Sequence, residues 1–112
     1  MICKIMILGL VMLAGGNLSA QDGLVNDTIK VSGNCGMCEK RIESGARGKG
    51  VKYAEWNVET KQLVIKYDSA KTTLLDIEKR IAKTGHDTEN VMATDAAYEG
   101  LHKCCQYERP SH

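Results

Sequence analysis

Apolar and polar positions along this chain change period several times, and each change marks an element. From Thr28 to Ser32 the side chains alternate and are partly β-branched, which predicts a strand; Gln21 to Asn26 before it reads as a polar lead-in. Gly33 and Asn34 break the alternation. From Cys38 to Arg47 the period lengthens: Cys38, Ile42 and Ala46 fall four apart on one helical face, Gly45 weakens the helix near its end, and Gly48 and Gly50 mark the exit. Alternation returns from Val51 to Val58, placing Ala54, Trp56 and Val58 on one face, and again at Leu63, Ile65 and Tyr67. Glu59, Thr60 and Lys61 between them are few enough for a hairpin. A second helix opens at Thr73, with Asp76 three positions later as a capping box. It carries Leu74, Ile77 and Ile81 as its apolar stripe and closes at Gly85. Thr88 to Met92 predicts a last short strand, and Thr94 to Leu101 one or two helical turns. The order strand, helix, strand, strand, helix, strand is that of an α+β, ferredoxin-like βαββαβ sandwich, an antiparallel sheet with two helices on one face.

The first twenty residues depart from this patterning. Lys4 supplies a positive charge, Ile5 to Ala14 is an apolar run, and Gly15 to Ala20 is small and polar. Those are the marks of a secretory signal peptide over residues 1–20, with cleavage expected after Ala20. The run is about ten residues, against about twenty for a helix that spans a bilayer. The remainder is expected to be soluble and periplasmic or secreted. Its charge is balanced: the chain has 15 Lys and Arg against 14 Asp and Glu, and Lys4 is the one basic residue in the leading segment. With no basic run there is no footprint for a nucleic-acid backbone, which excludes that class of partner.

Export changes the meaning of the cysteines. Of five, Cys3 leaves with the signal, and Cys35, Cys38, Cys104 and Cys105 remain. An even number in an oxidising compartment ordinarily suggests disulfides. Two close pairs make a poor staple, however, because a bridge within either pair closes a tiny loop and removes little unfolded-state entropy. Bridges between the pairs stay open. Cys35 and Cys38, in the stretch Gly33-Asn34-Cys35-Gly36-Met37-Cys38, lie between a strand and the start of a helix. Unpaired N–H groups and the helix dipole at that end favour thiolate, the form that binds metal. Two thiolates on an open loop suit Cu(I) better than Ca or Mg, which need oxygen ligands. The rival reading is a thiol–disulfide redox pair, which also opens a helix. Against it stand the ββ hairpin after the first helix and the lack of any proline before Pro110.

The stretches Ile29 to Ile42, Gly50-Val51, Trp56 to Val58, Val64 to Asp68 and Thr84 to Thr88 resemble the heavy-metal-associated domain family. That family includes copper chaperones, modules of metal-pumping ATPases and periplasmic mercury-binding proteins. The resemblance covers residues 27–92 and leaves 93–112 as an extension with a Cys-Cys pair. It implies the ferredoxin-like fold, Cys35 and Cys38 as ligands, and ligand exchange as the transfer step. It also implies a membrane metal transporter or efflux component as partner. Members commonly carry a methionine two positions before the first cysteine, packed under the loop; here that residue is Gly33. The family fold brings the loop of His86 beside the metal loop, where a histidine serves as a third ligand, as a donor to a ligand, or simply as a solvated loop residue.

Adjacent cysteines do not readily face one ion together, and a bridge between them is strained. Either Cys104 or Cys105, with His102, is then expected to fold back and complete the site. The alternatives are a second weak site, a redox pair that keeps the first reduced, or a tail disulfide. A closed site shifts preference toward tetrahedral Zn or a guarded Cu(I). Met37 is read as core filler in preference to a ligand. Trp56, Tyr53 and Tyr67 are read as sheet-packing residues, and Glu43, Asp76 and Glu78 as solvated helix charges. No Ser/His/Asp set, phosphate loop or carboxylate pair emerges, so no enzyme is expected. The sequence thus predicts an exported heavy-metal-binding protein for transfer or sequestration of Cu(I), with Hg(II), Zn(II) and Ag(I) as alternative ions. A homodimer bridged by a shared ion is compatible with the same loop.

Overall fold

The computed structural model describes residues 23–110. The expected signal segment lies outside the described residues. Strand β1 (Leu24–Lys30) leads to helix α1 (Gly36–Ala46), then β2 (Val51–Trp56), β3 (Gln62–Asp68), helix α2 (Leu74–Lys83), the short helix α3 (Asp95–Glu99) and a 3₁₀ turn at Lys103–Cys105. The sheet is antiparallel throughout, in the order β1-β3-β2. No helix among the described residues is long and apolar enough to cross a membrane.

Alternation on β3 works as the sequence predicts. Leu63, Ile65 and Tyr67 are buried, whereas Val64 between them is 44% exposed. Ala54 and Trp56 from β2, Ile42 and Ala46 from α1, and Ile77 and Ile81 from α2 close over the same face. Each fully buried Leu or Ile contributes about 1.5–3 kcal/mol, so this layer carries the fold. Thr73 caps α2 as expected, its Oγ1 accepting from Asp76 N–H at 3.0 Å. At the end of α1, the Arg80 guanidinium from α2 donates to the Ala46 carbonyl at 2.8 Å and the Gly45 carbonyl at 3.4 Å. It thereby satisfies acceptors that a helix terminus leaves open.

Several expectations are corrected. The lead-in is partly strand, because Leu24 to Asn26 pairs with Lys66 to Asp68 of β3. Val58 does not face the core and is 37% exposed. The Asn57 side chain accepts from Glu59 and Thr60 N–H at 2.8 and 2.9 Å, and that turn ends β2 at Trp56, two residues earlier than expected. The fourth strand is reduced to a single bridge, Val31 with Thr88. Glu78 is the reason: far from being solvated, it is 1% exposed, and its carboxylate accepts from Thr88 Oγ1 (2.6 Å), Asn90 N–H (2.9 Å) and Asn90 Nδ2 (3.0 Å). Those bonds fold residues 88–91 into a turn, closed by Thr88 N–H to Val91 O at 2.8 Å. Glu43 is likewise engaged, accepting from Trp56 N–H at 2.9 Å. Tyr53 does not pack on the sheet face either, being 48% exposed.

Candidate metal centre

Cys35 is the N-cap of α1, in extended backbone, so its sulfur sits at the end where the first N–H groups of the helix have no partner within the helix. The Cys35 thiol is pulled down to about 7. The Cys38 N–H is the largest influence; burial opposes it, and the Cys38 thiol, Met37 N–H and Cys104 thiol assist. Cys38, one turn into the helix, is fully buried against the core, and its Sγ accepts from Asn34 N–H at 3.3 Å. The two sulfurs are 3.5 Å apart.

The extension completes this arrangement. Leu101 is buried, and the 3₁₀ turn that follows carries Cys105 down onto the loop. Cys105 is fully buried, with Sγ 3.8 Å from Cys35 Sγ. The sulfurs of Cys35, Cys38 and Cys105 all lie within 4.8 Å of one another. Burial pushes the Cys105 thiol strongly up, with the neighbouring cysteines adding to the shift. Cys104 is exposed and lies at the rim of the cluster. Its Sγ is 3.8 Å from Cys35 and 4.0 Å from Cys105, and its carbonyl oxygen accepts from Asn34 Nδ2 at 3.5 Å. Met37 is not core filler: it is 46% exposed, with its sulfur 4.0 Å from Cys104 Sγ.

Two residues beyond the cysteine pair lock the extension. The Tyr107 hydroxyl donates to Gly85 O and accepts from Asp87 N–H, both at 2.8 Å. Its ring stacks on His86, centroids 5.4 Å apart. Arg109 donates from Nε to Asp87 Oδ2 at 2.9 Å and from Nη2 to Asp87 Oδ1 at 2.7 Å; Nη1 reaches Asp95 Oδ1 at 2.8 Å. Burial raises the Asp87 pKa, but the bonds from Arg109 and the Ala93 N–H outweigh it and leave the group below the usual carboxylate value. Gly85, at φ +108°, makes the docking possible, since a Cβ there would lie 2.7 Å from Ala97 O.

His86 is wholly buried, with Nδ1 2.8 Å from Ser32 O, which assigns the proton to Nδ1 and leaves Nε2 without a hydrogen-bond partner. It stands outside the three-sulfur cluster. So does His102, which is exposed and enters the extension through its carbonyl, the acceptor for Cys105 N–H at 2.8 Å. Sequence reasoning could not choose between Cys104 and Cys105, and it passed over Asp87 and Arg109. The available signal was an apolar and aromatic set, Tyr98, Leu101 and Tyr107, flanking the cysteines in a segment otherwise read as a tail.

The heavy-metal-associated domain profile matches residues 28–87, more than half of the 112 residues. The chain belongs to the heavy-metal-associated domain family. No protein with a curated description matches it. Among solved structures it is similar to the CopZ metallochaperone, at 29% identity and a TM-score of 0.55, over 57% of this chain and 98% of that one. It is similar also to copper-bound CopA from Bacillus subtilis, at 33% identity and a TM-score of 0.52, over 63% and 93% of the two chains. Oxidized MerP from Ralstonia metallidurans aligns at 25% identity and a TM-score of 0.50, over 58% and 96%. The ferredoxin-like frame is thus shared within the family, while Cys104, Cys105, Tyr107 and Arg109 lie beyond the matched profile.

Proposed function

We propose that this protein is an exported carrier or scavenger of a soft metal ion, Cu(I) before Hg(II), Ag(I) or Zn(II), held by the thiolates of Cys35 and Cys38. The observation that carries the reading is the pair of sulfurs 3.5 Å apart at the start of α1, one of them with its pKa drawn down to about 7. Near neutral pH that thiol is half ionised before any metal arrives, so little proton competition stands against binding there. Likeness to a metallochaperone and to copper-bound CopA supports copper over the other ions. The signal-like pattern of residues 1–20 supports a periplasmic or secreted location.

The role is binding rather than catalysis, and the ion is cargo. An acceptor thiolate on a membrane metal transporter or efflux component takes it by ligand exchange, or the protein keeps it. A second copy sharing one ion between two loops is the other assembly this site allows. The test is a titration of reduced, anaerobic protein with Cu(I) against a colorimetric chelator, beside the variant Cys35→Ser/Cys38→Ser. One tightly held equivalent that the variant loses is the expected result. Absence of competitive binding in the reduced protein, together with thiol–disulfide turnover on a substrate, would replace this reading with a redox one.

A further inference from the structure

Resting on that reading, we infer that the extension turns the two-cysteine loop into a closed three-thiolate centre, with Cys105 as the third ligand. The distances argue for it. A metal–thiolate bond is about 2.3 Å, so two sulfurs on opposite sides of a two-coordinate ion stand about 4.6 Å apart, whereas trigonal or tetrahedral angles bring them to about 3.7–4.0 Å. Cys35 lies 3.5 Å from Cys38 and 3.8 Å from Cys105. The Cys35–Cys105 separation falls in the range of the higher coordination number and the Cys35–Cys38 separation slightly below it; both are well short of a linear pair.

Burial argues for the same ligand. Cys105 is fully enclosed, and its sulfur stands within 4.8 Å of those of Cys35 and Cys38. Cys104, next to it, is exposed and lies outside the three-sulfur cluster. Register is fixed from both sides: Cys105 N–H bonds to His102 O at 2.8 Å, and the Tyr107 hydroxyl anchors two residues later. The ordering cost of the third ligand is therefore met by folding and not at the moment of binding, which raises affinity. On capture each ligating thiol gives its proton to solvent and one Cu(I) joins three thiolates, with no change of oxidation state. A centre closed this way favours retention over rapid hand-off, because an incoming thiolate must compete with three bonds.

The test is X-ray absorption at the copper edge on the full chain loaded with one equivalent of Cu(I), freed of small thiols and monomeric by light scattering. Three sulfurs per copper are expected in the unaltered protein. In Cys105→Ser two are expected, with Cu(I) retention against the chelator weakened about tenfold or more. Cys104→Ser is expected to keep three. Two sulfurs in the unaltered protein, or three in Cys105→Ser, would overturn the inference while leaving binding at Cys35 and Cys38 intact. Failure of the unaltered protein to bind copper would instead defeat the underlying reading. Because the count in the unaltered protein stands alone, the result does not depend on a variant folding.

Discussion

Arg109 grips the buried carboxylate of Asp87 with two hydrogen bonds, Nε to Oδ2 at 2.9 Å and Nη2 to Oδ1 at 2.7 Å. The Asp87 side chain is fully covered, and that of Arg109 is 19% exposed. Removing one member of such a pair strands a buried charge, which costs about 3–5 kcal/mol. Arg109→Ala is therefore expected to lower the urea midpoint substantially, and the double variant Arg109→Met/Asp87→Asn to recover part of the loss. Equal destabilisation in the single and double variants would mean that the pair is not the latch. The low Asp87 pKa gives this stability a direction with pH. It is fully present above about 3.8, the unfolded value, and is lost as pH falls through the folded value.

His86 sets a second pH dependence nearer neutrality. Burial is the main influence that lowers its pKa below 6.5; the Ser32 carbonyl opposes the shift, and the Arg41 charge adds to it. The unfolded chain therefore takes up a proton near 6.5 that the folded chain refuses until lower pH. Stability contributed by neutral His86 is present above 6.5 and declines as pH falls below it. Chemical denaturation at pH 7.5 and 5.5 should show the decline, and His86→Gln, which does not titrate there, should flatten it. A slope unchanged in that variant would assign the dependence elsewhere.

Cys35 yields a prediction readable without metal. With the thiol at about 7 instead of the ordinary 9.0, its rate of alkylation by iodoacetamide should be half-maximal near pH 7. Buried Cys105 should stay unmodified in the folded protein over the same range. Peptide mass spectrometry after timed quenching separates the sites. A midpoint near 9 for Cys35 would show that the N–H groups of α1 do not stabilise the thiolate.

Much of this was legible because it rests on local periodicity. Cys38, Ile42 and Ala46 on one helical face, and Leu63, Ile65 and Tyr67 on one strand face, are written four and two apart, and all six are buried. The cysteine loop was legible for the same reason: its chemistry follows from a strand ending and a helix beginning. What escaped was set by contacts distant in sequence. Glu78 reads as a surface charge until Thr88 and Asn90 arrive to bond it, and the same bonds shorten the expected last strand to one bridge. Cys104 and Cys105 are equivalent in any local reading. Only the docking of Tyr107 against Gly85 and Asp87, 22 and 20 positions upstream, decides which cysteine is buried.

The absence of a side chain at position 33 has a cause in β2. A Cβ on Gly33 would stand 3.0 Å from Cη2 of Trp56 and 3.1 Å from Cβ of Cys38, so the indole already fills the space beneath the metal loop. Trp56 is held there by its own bond, Nε1 donating to Val31 O at 2.9 Å, and is 1% exposed. A methionine at this position would have to displace the indole or lift the loop. Gly33→Met is thus expected to cost about 1–3 kcal/mol from overpacking and to shift the Trp56 fluorescence. Because the same displacement would move Cys38, Cu(I) affinity should fall in parallel. If Gly33→Met folds with unchanged stability and fluorescence, the indole is not what excludes a side chain there. Pairing Gly33→Met with Trp56→Leu, which opens the space, should then recover stability and affinity together, as expected if one steric conflict underlies both losses.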